Sequence, residues 1–69
     1  MEELKTSEVL IYGLKQILTN KDTILAIALI LRSEDQMKTM IAWIWDHKQE
    51  NPSEDFVIAI AKKIVERVD

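Results

Sequence analysis

The chain has 69 residues, 48% of them apolar and 30% charged, with a net charge of −3 and a pI of about 5.0. A second domain is excluded, since domains usually take roughly 100–200 residues, and the composition is that of a chain that folds. The acidic balance sets the molecular field against nucleic-acid backbones and anionic lipid surfaces, and the lack of cysteine excludes disulfides and thiolate zinc sites.

Folding so short a chain buries only about 60% of its extended surface, so the core is small. Small domains are commonly reinforced by disulfides, a metal or oligomerisation. Oligomerisation is the one left by this composition.

The first stretch, "MEELKTSEVLIYGL", is acidic before it is apolar and lacks the basic n-region of a signal peptide, which points to a cytoplasmic protein. A single Gly and a single Pro in the whole chain point to helices throughout. The first helix is expected from between Glu2 and Ser7 to about Leu18. At about 100° per residue, Leu4, Leu10, Ile11, Leu14, Ile17 and Leu18 share one arc. Tyr12 falls off that arc, half-buried with its hydroxyl in water, and joins the candidate partner-binding residues. Gly13 beside it marks either a close helix contact or a tolerated cost of about 1 kcal/mol.

In "TNKD", Thr19 is a candidate N-cap with Asp22 returning the bond, which starts a second helix running from Asn20 to about Arg32. Its run from Ile24 to Leu31 is entirely apolar. That is far short of the roughly 20 residues that span a bilayer. A helix apolar on every side belongs in a core. The second helix is therefore expected at the centre with the other three around it. Three short helices cannot easily cover it completely, and a second subunit is one source of the missing wall.

"SEDQ" repeats the capping pattern, with Ser33 as cap and Gln36 at the third helical position, and begins a third helix to about Gln49. One continuous helix over residues 20–49 is the rival reading, disfavoured by the change of phase between the stripe of Ile24, Ile27, Ala28 and Leu31 and that of Met37, Met40, Ile41 and Ile44. Trp45 flanks the second stripe. Trp43 points the other way, suited either to the rim of the core or to a partner surface, where tryptophan is enriched.

"ENPSED" places Asn51 at a cap, Pro52 at the first helical position and Glu54 at the third, opening a fourth helix to about Val68. Its apolar residues spread over about 200°, against a requirement of little more than 100°. Ile58 and Val65 form the surplus edge. The fold expected is all-α: a single compact four-helix domain over residues 1–69, with short connections, neighbours packed in sequence order and a central apolar second helix.

Chemistry is sparse. The single histidine, His47 in "WDHKQEN", has Asp46 and Glu50 nearby, but only Glu50 stands at helical i, i+3 spacing, and the group reads as a solvated helix end. One glycine cannot build a phosphate loop. No catalytic, metal or cofactor-binding residue is assigned, and no small molecule is expected. A helix-turn-helix would present "SEDQ", "NKDT" or "PSED" to phosphate, which the charges oppose. The function expected is a non-catalytic protein–protein interaction module, self-associating or docking through Trp43, Ile58 and Val65 on surplus apolar surface of the third and fourth helices, with Tyr12 of the first helix as a further candidate. The alternative is a small dimeric DNA-associated regulator.

Overall fold

The computed structural model describes residues 5–67. They form four α-helices, α1 (Thr6–Ile17), α2 (Lys21–Ile30), α3 (Glu34–His47) and α4 (Glu54–Glu66), with a 3₁₀ turn over Lys48–Glu50. The expected all-α four-helix domain is what is found, and no strand occurs among the described residues. Leu4 and Val68, placed in the first and fourth helices from the sequence, lie outside the described residues.

Local chemistry sets the boundaries. Ser33 caps α3 as expected: its hydroxyl accepts from the Gln36 amide at 3.1 Å, while the Gln36 side chain accepts from the Ser33 amide. The Gln36 side chain also takes the Arg32 amide at 3.1 Å. Three backbone amides are thus satisfied at one junction, and α2 and α3 are separate helices. Ser33→Ala is expected to lower stability by about 1 kcal/mol, read as a reduced midpoint in urea denaturation.

Two caps differ from expectation. Asn20, not Thr19, caps α2, its side-chain oxygen accepting from the Asp22 amide at 3.0 Å. Ser53, not Asn51, caps α4, accepting from the Phe56 amide at 3.2 Å, which leaves Pro52 just outside the helix. Asn51 is used otherwise. It adopts φ 49°, the left-handed conformation that asparagine tolerates better than most residues, and so terminates the preceding 3₁₀ turn.

The helices close a ring in the spatial order α1, α2, α4, α3, with α1 packed most extensively on α3. Sequence order is therefore not packing order, because α2 and α3 diverge after Leu31. Gly13 explains the dominant pair: it is buried, and a Cβ built on it would lie 3.5 Å from Ile44 Cγ2. That is ordinary van der Waals contact. Gly13→Ala is therefore expected to raise stability by about 0.5–1 kcal/mol through helix propensity, measured by the same denaturation.

The core draws on every helix at helical spacing: Leu10, Leu14 and Leu18; Ile24, Ile27 and Leu31; Met40 and Ile44; Val57, Ala61 and Ile64. No polar or charged side chain is buried among the described residues. Across the entrance to α1 and α3, the Thr6 hydroxyl donates to Glu34 Oε1 at 3.0 Å, and Lys38 stands 3.7 Å from the same oxygen.

The enclosure expected for α2 is found on one side only. It occupies a corner of the ring, not the centre, because only Ile24, Ile27 and the following Leu31 point inward. With about 100° between residues, Leu25, Ala26, Leu29 and Ile30 are turned away from them. Among the described residues, no helix covers that side.

Candidate interaction surface

The outer side of α2 carries the largest exposed aliphatic group among the described residues. Leu29 is 75% exposed, Leu25 55% and Ile30 37%, with exposed Ala26 between them. No charged residue occurs from Thr23 to Leu31. A contiguous apolar strip is more informative than the same residues scattered singly over a surface.

The strip continues onto α4. Ala26, Ile27, Ile30 and Ile58 line a groove of about 290 Å³ between α2 and α4, with Asp22 and Lys62 at its rim. Ile30 also borders a second depression with Val65, Arg32 and Gln36. The structure thus brings two of the sequence-derived candidates, Ile58 and Val65, to the edge of the α2 strip. Both pack partly against the core, so they extend this face as half-buried shoulders.

Trp43 and Tyr12 lie elsewhere. Trp43 sits on the opposite flank of α4, half-buried against the core, and lines a separate cleft of about 480 Å³ with Ile60, Lys63, Glu66 and Arg67. Its ring stacks on His47, centroids 4.7 Å apart and planes 16° apart, and tilts against the half-exposed Phe56 at 5.8 Å. His47 is accordingly half-buried and not a free helix end. Its Nδ1 lies 2.9 Å from the Trp43 carbonyl oxygen, which can only accept, so the proton sits on that nitrogen.

Tyr12 is exposed and faces Trp45 at 6.3 Å, and Lys48 Nζ lies 4.7 Å above the Trp45 ring. Trp45 is itself 40% exposed. Trp43 thus takes the core-rim place that was one of its two expected readings, and Trp45, expected to flank the core stripe, is the more exposed of the two. The reason is a small rotation: Met40 and Ile44 are buried while Met37 and Ile41 are half-buried, which turns the inner line of α3 by about 30° toward Trp43.

Among the described residues, no cluster of three or more His, Asp or Glu side chains is placed to hold a metal ion, and no helix is long and apolar enough to cross a membrane. The class of molecule defined so far is a small four-helix domain with one unpartnered apolar helix face. Comparison with protein-family models, with curated proteins and with solved structures finds no match.

Proposed function

We propose that the protein is a non-catalytic protein–protein interaction module whose recognition element is the outer face of α2, extended by the Ile58 and Val65 edge of α4. The observation that carries this reading is the exposure of Leu25 and Leu29 in a helix that has a buried face already. Covering a Leu side chain fully is worth about 1.5–3 kcal/mol, and that gain is available at two adjacent positions without rearranging the core. Association subtracts its own entropic and ordering costs, so a complex of modest affinity is expected.

The surface proposed here lies on helices two and four, whereas the sequence alone pointed to helices three and four. Trp43 contributes to the stacked cluster on the far flank.

The test uses wild type and Leu25→Lys/Leu29→Lys, each immobilised and exposed both to native extract and to the purified chain, with retained species identified by mass spectrometry. A species held by wild type and lost with the variant is the expected result. Equal retention on both would overturn the reading.

A further inference from the structure

We draw no further inference here: the strongest candidate, the apolar outer face of α2 with the groove it forms against α4, belongs to the surface already described, and nothing in the structure shows what covers it.

Discussion

Leu14→Ala is expected to leave the domain largely unfolded. Leu14 is fully buried, in line with Leu10 on α1 and with Leu18 just after it, on a helix packed against both α2 and α3. Truncating such a leucine removes its transfer free energy and leaves a cavity, together about 2–5 kcal/mol. A core in a chain of this size rarely supplies more than about 3–5 kcal/mol, so the loss consumes most of what holds the ring together. The check is far-UV circular dichroism with amide dispersion by NMR at room temperature. Leu14→Met preserves volume and is expected to stay folded, at a cost below about 1.5 kcal/mol. A folded alanine variant with a melting transition close to wild type would mean that α1 contributes less to the core than its burial implies.

Lysine at both Leu25 and Leu29 is expected to have the opposite profile, with association lost and the isolated fold intact. These side chains have little burial to lose, and exposed substitutions usually change stability by no more than about 0.5 kcal/mol. Two like charges, brought onto the same apolar strip, make pairing through it unfavourable. Thermal melts separate the two effects. Binding of a species held through α2 raises the melting temperature of wild type and leaves that of the variant unchanged. Loss of helicity in the variant at low concentration would show that the outer leucines support the fold itself.

Much of the architecture is legible in the residues because it is written locally. Ser33 and Gln36 bond across three positions, and nothing distant is needed to read them as a helix start. Where capping-competent residues stand in series, local chemistry underdetermines the choice. Thr19 and Asn20 are adjacent, as are Asn51, Pro52 and Ser53, and the path of the chain between helices selects Asn20 and Ser53. Asn51 was also needed for a left-handed turn, a role that does not announce itself in the sequence.

The candidate surface was legible in kind and not in place. An excess of apolar helix surface can be counted from the residues, and Ile58 and Val65 stand out as candidates because they lie seven positions apart on one edge of α4. The exposed leucines of α2 escaped, since a helix apolar all round looks the same whether its own chain or another one covers it. Trp43 and Trp45 flank the inner line of α3 at nearly equal angles. Which of them packs inward depends on α4, whose position no periodicity in α3 reveals.

The question that decides most is whether the outer methyl groups of α2 are covered in solution. Broadening of the Leu25 and Leu29 methyl NMR signals by a soluble nitroxide answers it, with exposed Tyr12 as an internal reference. Strong broadening of all three residues in the isolated protein, followed by selective protection of the two leucines when the species retained by wild type is added, is the expected result. Leucine signals that remain as accessible as those of Tyr12 in that mixture would contradict an interaction through the outer face of α2.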